Sequence, residues 1–264
     1  MLDAVREVAE EAGRLLMERF GRLAAGEIER SGRRDVSTAA DRESEALIGR
    51  RLERLFPGTD LLGEEALKQS GGRPALGERP TWIVDPLDGT VNFVQGLPLF
   101  CVSIGLVERG QPVLGVVHAP ALGLTFLGAP GSGAFEGDRP ISVSVTPFLE
   151  DAILATGFAY DRNHLADTNL ENFVQLGLKV RGMRRMGSAA LDLAFVASGR
   201  LDGFWELHLQ PWDVAAGAAL VRAAGGRVTD QRGGEDWLLG RHLVASNGLI
   251  HEALRSALTP LKGL

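Results

Sequence analysis

Two aspartates placed just after a short apolar run form the segment of this chain best suited to chemistry. Trp82–Val84 is predicted to be a short buried strand, and Asp85 and Asp88 follow it before a turn that ends in Gly89 and Thr90. Like charges held this close together resist joint ionisation unless cations neutralise them. Because Mg²⁺ prefers carboxylate oxygens together with water and substrate phosphate, the segment predicts a magnesium site with a phosphate-binding turn beside it.

Acidic residues also stand at other junctions between apolar and polar sequence. Glu64 and Glu65 follow the apolar pair Leu61-Leu62, and Asp213 opens a strongly helical run. Asp-Pro and Asp-Gly are common turn dipeptides, and either one alone would indicate only a turn. Acidic clusters at the ends of several separate elements instead favour a multi-metal centre assembled from distant segments.

These motifs, in this order and at roughly this spacing, resemble those of the Mg²⁺-dependent, lithium-sensitive sugar phosphatases typified by inositol monophosphatase. The main motifs are Gly63–Glu65, Asp85–Phe93 and Trp212–Gly217. Weaker matches extend the resemblance over nearly the whole chain: Asp35–Asp41, Thr156–Phe158, Gly187–Ala190 and Leu201–Glu206. The resemblance implies an α/β fold, a layered α+β sandwich with alternating helix and sheet layers and the metal site between two halves.

The resemblance also implies a set of metal ligands at matching positions. They are Glu64, Asp85, the backbone carbonyl of Leu87, Asp88 and Asp213. The first three would hold one Mg²⁺ and the last two a second, with Asp85 bridging both and two or three ions in all. Two cations roughly 4 Å apart can activate a water and stabilise the leaving oxygen of an in-line phosphoryl displacement.

Thr90, Asp41 and Glu64 are the residues that the resemblance assigns to catalysis. Thr90 and Glu64 would orient a water for attack on phosphorus, and in the family the threonine is paired with an aspartate that matches Asp41. Asp41 also stands where a helix is predicted to begin, so a helix N-cap is the alternative role for it. The backbone N–H groups of Gly89 and Thr90, at the start of a predicted short helix, suit a phosphate. Asp35 is predicted to be a structural turn residue.

Substrate contacts follow from the same resemblance. The implied substrate-binding residues are Asp88, Gly89, Thr90, Ala189, Glu206 and Asp213. Glu206 matches an acid that hydrogen-bonds a sugar hydroxyl, and Ala189 matches a backbone contact to the same substrate. The sequence departs from the family at Arg30, where many members have lysine, and at Ser188, where threonine is common. Because arginine and lysine differ in geometry, these departures concern substrate preference and not hydrolysis.

The predicted function is a Mg²⁺-dependent phosphomonoesterase that hydrolyses myo-inositol 1-phosphate, or a related polyol or sugar phosphate, with a metal-activated water. Relatives on this scaffold cleave fructose 1,6-bisphosphate, histidinol phosphate or 3′-phosphoadenosine nucleotides, and the sequence does not separate these substrates. The alternative from another class is a non-catalytic regulatory binding protein, such as a dimeric partner of the transcription machinery. The resemblance further implies a homodimer and inhibition by Li⁺.

Composition restricts the class of protein. The 264 residues are 45% hydrophobic and 23% charged, which is typical of a soluble globular protein. The formal net charge of -6 argues mildly against a nucleic-acid-binding surface. Cys101 is the one cysteine, so no intrachain disulfide can form. The N-terminus lacks a signal-peptide core and no apolar run is long enough to span a membrane, so a cytoplasmic location without membrane attachment is expected.

The elements that must position the acidic residues follow from hydrophobic periodicity. Helices are predicted over Val5–Phe20, Asp41–Phe56, Asp167–Lys179, Ser188–Ala197, Val214–Ala224 and Leu249–Leu258. Further strands are predicted over Ile104–Val107, Val113–Val117, Thr125–Leu127, Gly133–Phe135, Ile153–Thr156, Gly203–Leu207 and Leu243–Ala245, the first two as a hairpin. Residues 1–145 are expected to form an N-terminal half that carries the metal-ligand motifs, and residues 146–264 a C-terminal α/β half. Together they are expected to make one compact catalytic unit.

Overall fold

The structure is a computed structural model that describes residues 1–23, 26, 28–30 and 36–261. Its helices are α1 Leu2–Arg19, α2 Ala39–Leu55, α3 Glu64–Ser70, α4 Thr90–Val94, α5 Leu170–Gly177, α6 Ala189–Ala197, α7 Pro211–Ala223 and α8 His251–Ala257. Its strands are β1 Ile28–Arg30, β2 Val36–Thr38, β3 Asp60–Gly63, β4 Thr81–Asp88, β5 Cys101–Glu108, β6 Gln111–Ala119, β7 Leu124–Ala129, β8 Gly133–Glu136, β9 Arg139–Ile141, β10 Ile153–Thr156, β11 Gly182–Arg184, β12 Gly203–Leu207, β13 Arg227–Thr229 and β14 His242–Ser246. Asp35 and the side chain of Arg30 lie outside the described part of the chain.

Two mixed sheets form the framework. One has seven strands in the order β3-β4-β5-β6-β7-β8-β9, parallel between β3 and β4 and antiparallel elsewhere. The other has five strands in the order β11-β10-β12-β14-β13, with β10 parallel to both of its neighbours and the remaining pairs antiparallel. Strands β1 and β2 form a separate antiparallel pair.

Helices and sheets alternate in layers, as the resemblance implies. Helices α1 and α2 cover one face of the seven-stranded sheet, where Val8, Leu16 and Ile48 pack against Trp82 and Val116. Helices α6 and α7 lie between the two sheets, and α8 packs on β14 and α5 at the far side of the five-stranded sheet. The predicted fold class is therefore confirmed. Within the described residues, no helix combines the length and the apolar character needed to cross a membrane.

The central layer is built on close backbone contact between a helix and a sheet. Gly115 in β6 faces α7, and a Cβ placed on it would lie 2.2 Å from the carbonyl oxygen of Ala216. Gly105 in β5 is similarly close to the Ala216 nitrogen. The surrounding core mixes residues from both parts of the chain, such as Ile83 and Phe126 with Leu193. Glycines on the strands and small residues on the helix let the two backbones approach.

The predicted elements are largely present, with informative differences at their ends. The predicted hairpin is confirmed as β5 and β6, joined at Arg109 and Gly110, which both have positive φ, as hairpin turns of this length require. The helix predicted from Asp167 begins only at Leu170, because Asn169 has φ +65° and cannot continue a right-handed helix. Several strands of three or four residues, β1, β2, β3, β9, β11 and β13, were not predicted because such lengths carry little periodicity.

Candidate active site

Strand β4 contains both of its acidic residues within its own length. It runs to Asp88, is buried throughout, and pairs with β5 so that Asp85 lies opposite Ser103 and Asp88 opposite Cys101. The register shifts between the two aspartates, and the Leu87 N–H donates to Asp85 Oδ1 at 2.9 Å across this bulge. The prediction that the strand ends at Val84 is therefore wrong. Bulges re-aim side chains while pairing continues on either side, which is what brings both acids to one place.

Asp88 is held by the second half of the chain. Its Oδ2 atom accepts hydrogen bonds from Ser188 Oγ at 2.8 Å and from the Ala190 N–H at 2.7 Å. The Ala190 amide belongs to the first turn of α6, where N–H groups have no partner within the helix. Burial raises the pKa of Asp88 to about 6, against the opposing effect of the Ser188 hydrogen bond. These contacts use one carboxylate oxygen, so Oδ1 remains for another ligand.

Glu64, the first residue of α3, meets Asp85 directly. Glu64 and Asp85 each shift the pKa of the other, and Lys68 Nζ lies 2.7 Å from Glu64 Oε1. Burial raises the pKa of both acids, and the charges of Glu64, Asp88 and Asp213 raise the pKa of Asp85 further. The structure thus concentrates negative charge where β4, α3 and α7 meet.

Asp213 lies inside the first turn of α7. The helix begins at Pro211, a residue suited to the first helical position, and not at Val214 as predicted. Asp213 Oδ2 accepts a hydrogen bond from the Gln210 N–H at 2.7 Å. Burial, followed by the charge of Asp88, raises the pKa of the Asp213 carboxyl. One oxygen is therefore fixed by the helix start, and the other is available to a ligand.

Asp41 joins a helix cap to Thr90. Thr38 is the N-cap of α2, and Asp41 is the third helical residue, whose Oδ2 accepts from the Thr38 backbone N–H at 2.8 Å and from its hydroxyl at 2.6 Å. The other oxygen, Oδ1, accepts from Thr90 Oγ1 at 3.1 Å. The N-cap alternative is therefore wrong in position, since Asp41 closes a capping box from inside the helix and contacts Thr90 as well. Burial raises its pKa to about 6.

A cavity of about 1110 Å³ opens over these acids. Of the predicted site residues, its lining includes Glu64, Asp88, Ala189, Glu206 and Asp213. The remaining predicted residues are buried and are not among those that line the cavity: Asp41, Asp85, Leu87, Gly89 and Thr90.

Glu206 is an acidic residue of the cavity wall that lies in β12, apart from the acids of α3, β4 and α7. It lies in β12 with its carboxylate against Gly157, where a Cβ would come within 2.1 Å of Glu206 Oε2. Burial is the main cause that raises the pKa of Glu206 to about 8, opposed by the charge of Arg185. The side chain can therefore serve as a hydrogen-bonding wall for a hydroxyl-bearing ligand.

Gly89 shapes the turn between β4 and α4. It has φ +96°, a conformation that residues with a side chain rarely adopt, and a Cβ would lie 2.8 Å from the Leu99 carbonyl oxygen. The turn places Thr90 at the start of α4, where its hydroxyl lies 3.0 Å from the Leu87 carbonyl oxygen as well as near Asp41. Gly89 is therefore needed for the backbone path of this turn.

Some residues around the site were not singled out from the sequence. Asn92 Nδ2 donates to the carbonyl oxygens of Leu99 at 2.6 Å and Met186 at 2.8 Å, which ties the two parts of the chain together beside the acids. Glu45 is buried beneath α3. The sequence feature that points to Glu45 is its spacing from Asp41. Because it stands four residues later on the predicted helix, the two residues lie on the same helix face.

The donor set fits a hard divalent cation. Glu64, Asp85, Asp88 and Asp213 supply carboxylate oxygens in a buried region where the charges of the other three raise the pKa of Asp85, and such ions favour oxygen ligands. Among the residues that the structure describes, no three acidic, histidine or cysteine side chains are already grouped around a single point. A bound cation would neutralise the negative charge that these carboxylates concentrate.

Known proteins resemble this chain along nearly its full length. The sequence profile of the inositol monophosphatase family matches residues 1–261. The Inositol-1-monophosphatase of Mesorhizobium japonicum is 41% identical over 261 residues, which cover 97% of this chain and 95% of that protein. The Nus factor SuhB of Pseudomonas aeruginosa is 38% identical over 264 residues, covering 98% of this chain and 96% of that protein. The solved inositol monophosphatase from Anabaena (Nostoc) sp. PCC 7120 aligns with a TM-score of 0.86 at 41% identity, over 97% of this chain and 94% of that one. The chain therefore belongs to the inositol monophosphatase family.

Proposed function

We propose that this protein is a Mg²⁺-dependent phosphomonoesterase whose substrate is myo-inositol 1-phosphate or a closely related polyol phosphate. The observation that carries the proposal is the meeting of buried carboxylates from α3, β4 and α7 at one cavity wall. A cavity of this acidity does not suit a phosphate by itself, because both are negatively charged. Cations held by the acids make it a phosphate site.

The metal ligands in this proposal are side chains and one backbone group. They are Glu64, Asp85, the Leu87 carbonyl, Asp88 and Asp213, and they would hold two or three Mg²⁺. When bound, these ions supply the positive charge that stabilises the phosphate and leaving oxygens and lowers the pKa of water. Asp88 and Asp213 each keep one oxygen fixed by a protein N–H or hydroxyl donor, so their ligand oxygens are pre-oriented.

Thr90 orients the attacking water. Asp41 accepts the hydrogen bond of the Thr90 hydroxyl, and the hydroxyl oxygen keeps lone pairs that can accept a proton of the water. Asp41 is itself fixed by Thr38 at the start of α2. The pair therefore holds the water in one orientation for attack in line with the leaving oxygen.

The substrate's hydroxyl groups meet the opposite wall. Glu206 accepts hydrogen bonds from a polyol, and its position against Gly157 fixes where those hydroxyls lie. The Ala189 N–H stabilises the Asp88 carboxylate and stands beside the same cavity. A buried carboxyl group with a pKa of about 8 can donate to a hydroxyl group as well as accept from one, which suits a hydroxyl-rich leaving group.

The test is phosphate release from inositol 1-phosphate, fructose 1,6-bisphosphate, histidinol phosphate and 3′-phosphoadenosine 5′-phosphate, each with Mg²⁺ and with chelator. Inositol 1-phosphate should be hydrolysed best, and chelation should abolish release. Asp213→Asn should lower kcat/KM by more than the roughly 100-fold that loss of an outer-shell partner can cost. Undiminished release by Asp213→Asn, or release in chelator equal to that in Mg²⁺, would contradict the proposal.

A second candidate function is binding to a component of the transcription machinery, which is favoured by the similarity to a relative named Nus factor SuhB. The variant Asp88→Asn distinguishes the two functions. A binding function should survive this change, because Asp88 is buried, whereas hydrolysis should not. Retention of purified RNA polymerase on immobilised wild type and variant alike would support the second function, and no retention on either would exclude it.

The proposal also includes the oligomeric state, the cellular location and the lithium sensitivity that the family resemblance implies. We expect a homodimer in the cytoplasm whose hydrolytic activity is inhibited by Li⁺. Sedimentation equilibrium should give twice the 28.2 kDa chain mass. A monomer mass at micromolar concentration would contradict the homodimer. Activity unchanged by millimolar Li⁺ would contradict the lithium inhibition.

A further inference from the structure

Besides Asp41, two other polar residues on the buried face of α2 contact segments of the site. Ser44 and Glu45 lie on the same face, with exposed fractions of 0% and 8%. Each makes hydrogen bonds to a different segment that carries predicted ligands. Both are side chains that the proposed chemistry does not itself use.

Glu45 supplies the cap that α3 lacks. The N-cap of α3 is Gly63, which has no side chain to accept from the free N–H groups of the first turn. Glu45 Oε2 accepts from the Glu65 N–H at 2.8 Å, and Oε1 accepts from the Ala66 N–H at 2.8 Å. A carboxylate at a helix N-terminus also meets the positive end of the helix dipole. Because α3 begins at Glu64, this contact fixes the backbone from which Glu64 projects.

The fit around the Glu45 carboxylate is tight. A Cβ on Gly63 would lie 2.5 Å from the Glu45 carboxyl carbon, so a side chain at this position would displace the carboxylate. The φ of Gly63 is -104°, which any residue can adopt. The absence of a side chain at Gly63 therefore serves the contact with Glu45 and not the backbone conformation.

Ser44 holds the bulge in β4. Its hydroxyl donates to the Pro86 carbonyl oxygen at 3.0 Å, and Pro86 lies between Asp85 and Asp88, where the register shifts. Because proline has no backbone N–H, the carbonyl is the backbone group of Pro86 that can form a hydrogen bond. The contact joins α2 to the segment between the two aspartates.

We propose that Glu45 and Ser44 are positioning residues that set the spacing between Glu64 and the β4 aspartates. Together with Asp41, they make one face of α2 the common support for α3, the β4 bulge and α4. The inference rests on the proposed function, in which these acids hold metal ions. It predicts that metal affinity depends on side chains that are not ligands.

The test compares Glu45→Ala and Ser44→Ala with Glu53→Ala, a control that removes an exposed glutamate from the same helix. Mn²⁺ binding is read from the electron paramagnetic resonance signal of free Mn²⁺, at a temperature where circular dichroism shows every variant folded. Glu45→Ala should raise the half-saturating Mn²⁺ concentration about 10-fold or more and lower kcat. Ser44→Ala should act in the same direction, and Glu53→Ala should match wild type.

A double-mutant cycle with Gly63→Ala tests the contact itself. Gly63→Ala should weaken Mn²⁺ binding by forcing the Glu45 carboxylate away. In the Glu45→Ala background the same change should have little further effect, because the obstructing carboxylate is gone. Additive effects of the two substitutions on Mn²⁺ affinity would overturn this account of how Glu45 acts.

The outcomes separate the inference from the proposed function. A wild-type protein that neither binds Mn²⁺ nor releases phosphate overturns the proposed function, and the inference with it. A wild type that does both, with a Glu45→Ala variant that loses only thermal stability, overturns the inference alone. Reduced Mn²⁺ affinity in folded Glu45→Ala, unchanged in Glu53→Ala, supports it.

Discussion

Asp41 divides its two carboxylate oxygens between structure and the proposed chemistry. One oxygen closes the cap of α2 and the other accepts from Thr90. The residue is 1% exposed, and its partners are fixed by two different elements. A single buried carboxylate can therefore fix the position of the reactive hydroxyl relative to the start of α2.

The Thr90 hydroxyl, which donates to buried Asp41, is expected to matter for hydrolysis. Thr90→Ser keeps the hydroxyl, and its kcat for inositol 1-phosphate should stay within about 10-fold of wild type. Thr90→Val keeps the shape and loses the hydroxyl, so kcat should fall about 100-fold or more, in the range typical of lost proton handling. Phosphate release at saturating Mg²⁺ is the measurement. Equal kcat values for the two variants would remove Thr90 from the mechanism.

His251 gives a pH dependence at a distance from the acids. It is 0% exposed, and its ring nitrogens contact Thr229 Oγ1 at 2.9 Å and Ser246 Oγ at 3.0 Å. Burial, and then the charge of Arg227, lower its pKa from 6.5 to about 4, while Glu252 opposes and Arg255 adds to the shift. Because the folded pKa is lower, the unfolded chain takes up the proton first, and stability is lost as the pH falls from about 6.5 towards 4.

The free energy of unfolding of wild type should therefore fall between pH 7 and pH 5 by about 2 kcal/mol through this residue alone. His251→Gln has no titrating ring and should lack that part of the dependence. Urea unfolding at several pH values measures both. Parallel pH dependences for the two proteins would contradict a neutral buried histidine.

At the scale of elements, the absence of side chains at Gly105 in β5 and Gly115 in β6 positions α7. Glycines of β5 and β6 leave room for the backbone around Ala216, and this close contact carries Asp213 to the acids of β4. Alternation of apolar residues predicted β5 and β6 as strands. It does not say which glycine faces a helix, because that depends on which sheet face the chain covers later.

Gly115→Ala is predicted to destabilise the protein strongly. The new Cβ would meet the Ala216 carbonyl oxygen at 2.2 Å, and neither backbone can move freely. Overpacking of this kind typically costs about 1 to 3 kcal/mol, occasionally more. Gly49→Ala in α2 is the matched control, since its Cβ would face only a terminal atom of the half-exposed Leu61 and should be neutral or stabilising by up to about 1 kcal/mol. Urea unfolding that ranks the two variants the other way would disprove the contact.

At the scale of the whole molecule, the two halves share one core. Residues 1–145 supply β4 to β9, residues 146–264 supply α6 and α7, and their apolar side chains form a single cluster between the sheets. The acids divide in the same way, with Asp213 in the second half and the others in the first. The core between the sheets therefore contains residues from both parts of the chain.

We propose that the halves unfold together. Hydrogen exchange in increasing urea, read by mass spectrometry, should give the same transition midpoint for peptides from β5 and from β12. The shared cluster is the reason, because opening either half exposes apolar surface of both. Midpoints separated by more than the experimental error would show two independently stable units.

The sequence by itself indicated the family, predicted the candidate reactive groups and gave most of the elements. Carboxylates beside a strand, a Gly-Thr turn and an aspartate at a helix start are local patterns, and local patterns depend on residue type and spacing alone. The bounds of β10 and β12 matched the prediction, and those of α1, α2 and α6 differed from it at the ends. The same patterns could not show how β4 ends, because the hydrogen bonds that extend it past Val84 come from β5.

Only the tertiary structure decided which oxygen of each acid is fixed by the protein and which side chains hold the acids in place. The contacts of Ser188 with Asp88 and of Glu45 with α3 join residues 100 and 20 positions apart in the chain. Such pairings depend on how helices and sheets pack, since packing brings together faces that are remote in sequence. The sequence therefore predicts a set of candidate reactive groups, and it does not predict the contacts that support them.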